Sequence, residues 1–281
     1  PGIRPVLHAL AAGLKGRNLL DSTAFTQHLL GALQTQLKTH WPAQGLFKRA
    51  GDRRGLAAVL DDIGKVHWLK GEYGEALKLH KRTLEMRRSI GDDRSTAFTL
   101  ANIGAVYRDT GQFKDALGAF EESLAIRRRI DDRIGMVESL RAVGAVFQEL
   151  SEDERAAEFW SEGLEIARET GDRLQQGWLL AQLGEGDLRR EDVDGASGKL
   201  DEAAEIASQL GDDRLRAEAM RLQGRVKWAR DDVGEARDQI QASLRLAEEQ
   251  EYTAQVGAAQ RALAEIAASR SFAHEAEERF E

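Results

Sequence analysis

A period of 40 residues runs through most of this 281-residue chain and limits its fold more than any other feature. Glycine recurs at that spacing, alanine recurs in step with it, and leucine keeps the same register. The recurring positions are Gly64, Gly104, Gly144, Gly184 and Gly224; Ala76, Ala116, Ala156, Ala196, Ala236 and Ala276; and Leu60, Leu100, Leu140 and Leu180. A fixed period of this length is typical of repeat architectures, in which each unit stacks on its neighbours.

The spacing inside a unit predicts two helices joined by a turn. In the second unit, apolar and small residues follow helical spacing up to Gly111, which can adopt the positive φ that ends a helix. A second apolar stripe starts at Ala116, and Asp131-Asp132 then offers a side chain that can cap the next helix. We expect Gly104 and Ala116 to lie where the two helices cross, because larger side chains would push the backbones apart.

This pattern resembles the tetratricopeptide repeat. The matching residues are Leu100, Ile103-Gly104, Tyr107, Gly111, Ala116 and Phe120 in the second unit, and Leu140, Val143-Gly144, Phe147, Ala156 and Trp160 in the third. The 40-residue unit is similar to the longer variety of kinesin light chains, Pins-type polarity scaffolds and bacterial regulators. The chain departs from the family at the first aromatic position, held by Asp187 and Lys227, and at the turn glycine, replaced by Ser151, Glu191, Asp231 and Ser271.

The resemblance implies an all-α fold, a right-handed α-solenoid of stacked helix-turn-helix repeats. We place the array at 51–281, with repeats near 57–96, 97–136, 137–176, 177–216 and 217–256 and a partial one at 257–281. Residues 1–50 do not keep the register and form either a degenerate helical N-terminal cap or the edge of a preceding domain. His67, His80 and Trp160 take aromatic positions, so we expect them to serve packing.

Composition and motifs argue against several classes of function. The net charge of −8 disfavours a nucleic-acid binder, and no apolar run is long enough for membrane insertion. The chain has no cysteine, its histidines form no metal-ligand pair, and no phosphate-binding loop motif occurs. We therefore predict no enzymatic activity, no metal and no cofactor. We expect a cytoplasmic location, and the composition points to a bacterial source.

The family resemblance implies that the first helix of each unit lines a concave groove. The partner-binding candidates on it are Trp68, Phe98, Asn102, Arg108, Arg141, Trp178, Arg189, Arg221, Arg225 and Trp228. The aromatic residues among them either anchor a bound segment or pack between repeats. Arg189, Arg221 and Arg225 either bind a carboxylate of the partner or pair within the chain with Glu185 and Glu218. Asn102 resembles the asparagine with which peptide-binding relatives hold a backbone.

The predicted function is protein–protein recognition, in which the groove binds a peptide or helical segment of a partner protein. If the arginines contact this segment, we expect it to be acidic. Two alternatives stay open. The chain could be the sensor module of a larger bacterial regulator with an NTPase core. It could also be a self-assembly scaffold, forming a homo-oligomer through the chain ends, where the segment 270–281 is an unfinished helix.

Overall fold

Eleven α-helices make up residues 51–280, the part of the chain that the computed structural model describes. Nine of these helices have 17 residues, α8 has 18 and α11 has 28. Their bounds are α1 Arg53–Leu69, α2 Tyr73–Ser89, α3 Asp93–Asp109, α4 Phe113–Arg129, α5 Arg133–Glu149, α6 Asp153–Glu169, α7 Arg173–Arg189, α8 Val193–Leu210, α9 Asp213–Ala229, α10 Val233–Glu249 and α11 Thr253–Phe280.

The helices pack in consecutive pairs, so the fold is the predicted α-solenoid of helix-turn-helix repeats. The 40-residue register is confirmed, although each unit starts four residues before the predicted boundary, at Arg53 where we had placed it at 57. The described residues form two compact units, 51–186 and 187–280, called here the N-terminal and C-terminal units. The expectations for residues 1–50 lie outside the described residues and stay predictions.

A close approach between the two helices of a repeat explains the recurring glycine. A Cβ atom added at Gly104 would lie 2.7 Å from the ring of Phe120, and one at Gly64 would lie 2.8 Å from the imidazole of His80. The ring of Trp160 lies against Gly144 in the same way, and Phe120, His80 and Trp160 are all buried. The expected packing roles of His80 and Trp160 are confirmed.

Aspartates cap most of the first helices. Asp52, Asp92, Asp132, Asp172 and Asp212 each accept a hydrogen bond from the backbone N–H three residues later, at 2.8 to 3.3 Å. Such a cap satisfies one of the free N–H groups at a helix start. The cap expected from Asp131-Asp132 is therefore confirmed, and the other four aspartates, each preceded by glycine, mark helix starts in the same way.

The turn that ends each helix keeps the same conformation where glycine is absent. Gly111 has a φ of 72°, and Ser151, Glu191 and Asp231, which replace the turn glycine, have φ values of 59° to 67°. Left-handed backbone is strained for residues with a side chain. Packing of the two helices of the repeat therefore imposes the turn on these residues.

Polar side chains join the two helices of a repeat and also join one repeat to the next. The hydroxyl of Ser123 on α4 donates to the carbonyl oxygen of Ala97 on α3 at 2.8 Å, and Ser243 makes the same bond to Ala217 at 2.6 Å. On the exposed side of the second helices, Arg128 pairs with Glu162 at 2.6 Å. In the same way, Arg88 of the first repeat pairs with Glu122 of the second.

The last helix departs from the repeat. A turn was expected at Ser271, but α11 continues as helix to Phe280. The strong helix former alanine occurs at Ala262, Ala264, Ala267 and Ala268, which favours continuation. Ala262 and Ile266 are buried in the core that α11 shares with α10.

We predict that the close approach at Gly104 controls stability. Gly104→Ala should lower the free energy of unfolding by about 1 to 3 kcal/mol, because the added methyl group collides with the Phe120 ring. Gly118→Ala is the matched control, since no atom lies within 4 Å of its added Cβ. It should raise stability by about 0.5 to 1 kcal/mol through helix propensity. Urea unfolding of both variants measures the difference, and equal effects would contradict the packing role of Gly104.

We also predict that glycine relieves the backbone strain in the turns that lack it. Ser151→Gly should stabilise the protein by about 1 kcal/mol, because glycine adopts positive φ without strain. The reciprocal change Gly111→Ser should destabilise it by a similar amount, although space is open around Gly111. Thermal or urea unfolding tests the pair, and two neutral variants would show that the turn conformation carries no strain.

Candidate functional site

The odd-numbered helices of the N-terminal unit present a face of polar and aromatic side chains, which we call the first-helix face. It includes Lys65 and Trp68 on α1, Phe98, Asn102, Arg108 and Asp109 on α3, Glu138 and Arg141 on α5, and Trp178 and Gln182 on α7. Three hydrogen bonds on this face join residues 41 apart in sequence. Each of these bonds links one first helix to the first helix of the next repeat.

Trp68 is held by such a bond. Its indole N–H donates to the Asp109 carboxylate at 2.8 Å, and Asp109 also accepts two hydrogen bonds from Arg108 at 2.9 and 3.1 Å. Trp68 and Arg108 remain partly exposed. The structure therefore brings two of the predicted binding residues together in one group, with Asp109 as their common acceptor.

Phe98 is the most exposed of the predicted aromatic anchors. Its exposed fraction is 39%. The ammonium group of Lys65 lies 4.3 Å from the centre of its ring, a cation–π contact between consecutive first helices. Lys65 therefore restrains one side of the ring, and the rest of the side chain remains exposed.

Asn102 is oriented by a buried charge network. Its side-chain amide donates to Asp61 at 3.2 Å. Asp61 is 2% exposed, bonds the ring of His80 at 2.7 Å and pairs with Arg87 at 3.4 Å. Arg87 also donates to the carbonyl oxygen of Ser95 at 2.7 Å. The predicted backbone-binding amide is thus engaged within the chain by α1.

The network sets the ionisation of Asp61. Burial by itself would raise the pKa of this carboxyl, but the hydrogen bond from His80 and the positive charge of Arg87 outweigh it. The pKa of Asp61 therefore lies below its usual value of 3.8. Because the side chain is buried and ionised, its partners are needed to offset the lost hydration.

Arg141 and Trp178 complete the candidates in this unit. Arg141 donates to Gln175 at 2.8 Å and to Gln182 at 3.3 Å, both on α7. Its guanidinium therefore links α5 to α7 and is half-buried. Trp178 is also half-buried and has interactions of its own within the chain.

The four candidates of the C-terminal unit differ in exposure. Arg221 is 6% exposed and donates a hydrogen bond to Glu218 at 2.5 Å. Of the two alternatives for this arginine, the structure therefore shows pairing within the chain. Trp228 packs against the core of α10 and α11, which includes Ile240 and Ile266. Of the two alternatives for this tryptophan, the structure therefore shows packing between repeats. Arg189 is exposed and Arg225 is half-buried.

Two apolar residues near this face were missed from the sequence. Ile134 is 61% exposed, and Leu174 is half-buried at the same position of the next first helix. That position holds arginine in α1, α3 and α9. Comparing the repeats at this position would have found both, because an apolar residue replaces a charged one there.

The described residues contain neither a cluster of metal ligands nor a helix suited to span a membrane. Among residues whose side chains are described, no group of three or more His, Asp or Glu could hold a metal ion. None of the helices within 51–280 combines the length and apolar character needed to cross a bilayer.

Residues 55–129 and 93–169 match the family described as tetratricopeptide repeat. Residues 55–169 of the chain are therefore tetratricopeptide repeats. Comparison with curated protein sequences gives no match. The family match confirms the predicted resemblance and agrees with the paired helices of the fold.

Solved structures of other proteins have a similar fold. BtubC from P. vanneervenii is 18% identical, with a TM-score of 0.68 over 78% of this chain and 92% of its own. A signal transduction ATPase with a tetratricopeptide repeat sensor, from Pyrococcus horikoshii, is 19% identical, with a TM-score of 0.66 over 86% of this chain and 38% of its own. The Rap conjugation regulator of plasmid pLS20, in complex with the Phr* peptide, is 15% identical, with a TM-score of 0.59 over 72% of this chain and 56% of its own.

We predict that Asp61 is essential for the stability of the N-terminal unit. Asp61→Ala should lower the free energy of unfolding by about 3 kcal/mol at pH 7, because it leaves the charge of Arg87 buried without its carboxylate. The neighbouring change Asp62→Ala is the control and should cost at most about 1 kcal/mol, since its ion pair with Lys65 is exposed.

The loss of stability caused by Asp61→Ala should depend on pH. The pKa of Asp61 is lower in the folded than in the unfolded chain, so its contribution is fully present above the unfolded value near 3.8. It is lost as the pH falls below that value toward the folded pKa. Urea unfolding at pH 7 and pH 3 should show a smaller gap between the wild type and Asp61→Ala at pH 3. A constant gap would contradict the ionised state of Asp61.

Proposed function

We propose that this protein is a non-enzymatic interaction module that binds a segment of a partner protein on the first-helix face. The observation that carries the proposal is the arrangement of Trp68 and Phe98. Both are partly exposed, and both are restrained by contacts with the adjacent first helix. Aromatic side chains that are fixed before binding lose little conformational entropy, and such residues dominate interface energies.

The peptide complex of the structurally similar Rap regulator supports this class of function. That regulator shares the fold with this chain at low identity, so its peptide does not identify the partner here. The candidate contacts in the N-terminal unit are Trp68, Phe98, Asn102, Arg108, Arg141 and Trp178. In the C-terminal unit, Arg189 and Arg225 remain candidates, whereas the burial of Arg221 and the packing of Trp228 reduce what either can offer a partner.

Affinity capture from native lysate, followed by titration calorimetry with the purified partner, tests the proposal. Phe98→Ala should weaken binding about tenfold, because an anchor of this kind contributes more than 1 kcal/mol. The control is Glu121→Ala with Glu165→Ala, two exposed positions on the second helices α4 and α6. Circular dichroism should show that all variants keep their helicity. Equal binding by Phe98→Ala and the control would place recognition elsewhere.

A sensor module of a larger regulator is the second candidate. The similar Pyrococcus horikoshii structure has a tetratricopeptide repeat sensor, and this chain spans 38% of that protein. An open reading frame that encodes a phosphate-binding loop upstream of Pro1 would support this candidate. A start codon directly before Pro1 would contradict it.

A further inference from the structure

Four apolar residues lie on the N-terminal ends of three consecutive first helices. Ile134 and Leu174 are second in α5 and α7, and Phe98 and Trp178 are sixth in α3 and α7. We call these four residues the apolar strip. Phe98 and Ile134 are 39% and 61% exposed, and the other two are half-buried. Neighbouring exposed apolar residues of this size often mark interaction sites, whereas single ones do not.

A cavity opens between the exposed members of the strip. It has a volume of about 320 Å³ and is lined by Phe98 of α3 and Ile134 of α5, with Ser95 and Gly135 at the helix starts. This volume is at the lower end of the range for ligand pockets and has room for a large side chain. Phe98 and Ile134 supply the apolar part of the lining, so burial of an apolar group between these two side chains is favourable.

Charged groups surround this cavity in two ion pairs. Arg94 pairs with Asp132 at 3.2 Å, and the buried Arg127 pairs with Glu138 at 3.1 Å. Because each cation has its own carboxylate, the cavity favours an uncharged side chain over an anion. Glu138 is 55% exposed, and its one ion pair engages a guanidinium that is only 4% exposed. Its outer side therefore presents negative charge to an approaching partner.

The first helices α1 and α9 lack a large apolar residue at both of these positions. At the second position, α1, α3 and α9 have Arg54, Arg94 and Arg214. At the sixth position, α1 has Ala58 and α9 has Glu218. The repeat scaffold is the same in each case, so the scaffold itself does not require the strip.

The accessible arginines of the first-helix face are already engaged. Arg108 bonds Asp109, and Arg141 bonds Gln175 and Gln182. A basic residue opposite Glu138 can add to the ion pair with Arg127, because a carboxylate accepts several hydrogen bonds. Arg94, which lines the cavity and is 75% exposed, already pairs with Asp132, so charge complementarity at Glu138 favours a basic partner residue there.

We propose that the apolar strip docks a segment of another protein that inserts one large apolar side chain between Phe98 and Ile134 and places a lysine or arginine opposite Glu138. This inference rests on the proposed function and narrows it to a class of partner. The segment needs no acidic residues, and its affinity derives mainly from apolar burial at the cavity.

A displayed library of random twelve-residue peptides, selected on the wild-type chain, tests the proposal. The selected peptides should share a large apolar residue with a nearby lysine or arginine. Ile134→Ser should weaken their binding about tenfold, as expected for loss of a large apolar contact. Leu150→Ser is the matched control, because Leu150 is a 39% exposed apolar residue at the opposite end of the same helix, and binding should be unchanged.

The charge requirement is tested separately. Glu138→Gln should weaken the binding of the basic peptides about threefold and reduce the dependence of that binding on salt, as expected for a partly exposed charge pair. Urea unfolding of the variant shows that its fold is retained. Unchanged affinity and salt dependence in Glu138→Gln would overturn the assignment of a basic partner residue.

The outcomes separate this inference from the proposed function. Acidic peptides, or peptides that depend on Arg108→Ala but not on Ile134→Ser, would overturn the inference and leave the proposed function intact. Peptides insensitive to every substitution on the first-helix face, or no enriched peptide, would overturn both. A dimer in sedimentation that Ile134→Ser dissociates would also overturn the inference, because a second copy would then be the occupant.

Discussion

The close approach of the two helices in each repeat, through glycine, is the contact on which the other features depend. Gly64, Gly104, Gly144 and Gly224 lie against a side chain of the second helix, with His80, Phe120, Trp160 and Ile240 as the respective partners. The partner varies in size and polarity, but each is buried. This contact brings the helices of a pair together and forces the short turn between them, including the positive φ of Ser151 and Asp231. Without it, the first helices would have no fixed surface on which to stack.

Stacking of the repeats then creates contacts that no single repeat contains. In the N-terminal unit, Asn102, Trp68 and Arg141 each take part in a hydrogen bond to the neighbouring first helix. Buried Arg87 and Arg127 extend from the second helices to the start of the following first helix. These bonds satisfy buried polar groups and hold side chains of the first-helix face in place, which is the physical basis for proposing it as a preformed recognition surface.

Variation at exposed positions distinguishes one repeat from another. Most core positions keep small or apolar residues because packing tolerates few changes. The second and sixth positions of the first helices range from arginine to isoleucine and from alanine to tryptophan. Ile134 and Phe98 thus need not be explained by folding, and together with the cavity between them they give one junction a chemistry that the others lack. Specificity in such a protein resides in these substitutions and not in the scaffold.

The sequence alone determined the repeat period, the paired helices, the aspartate caps and the turns, because these depend on local propensity and on spacing within one unit. It also identified Gly104 as a crossing point and Trp160 as a core residue, since both recur in register. Tertiary structure decided which of the residues predicted to face a partner make contacts within the chain instead. Asn102 bonds Asp61, Arg221 bonds Glu218 and Trp228 packs on α10 and α11, whereas Phe98 stays exposed. Three of these four residues contact other helices, so their exposure depends on how the helices pack, and local spacing does not contain that information.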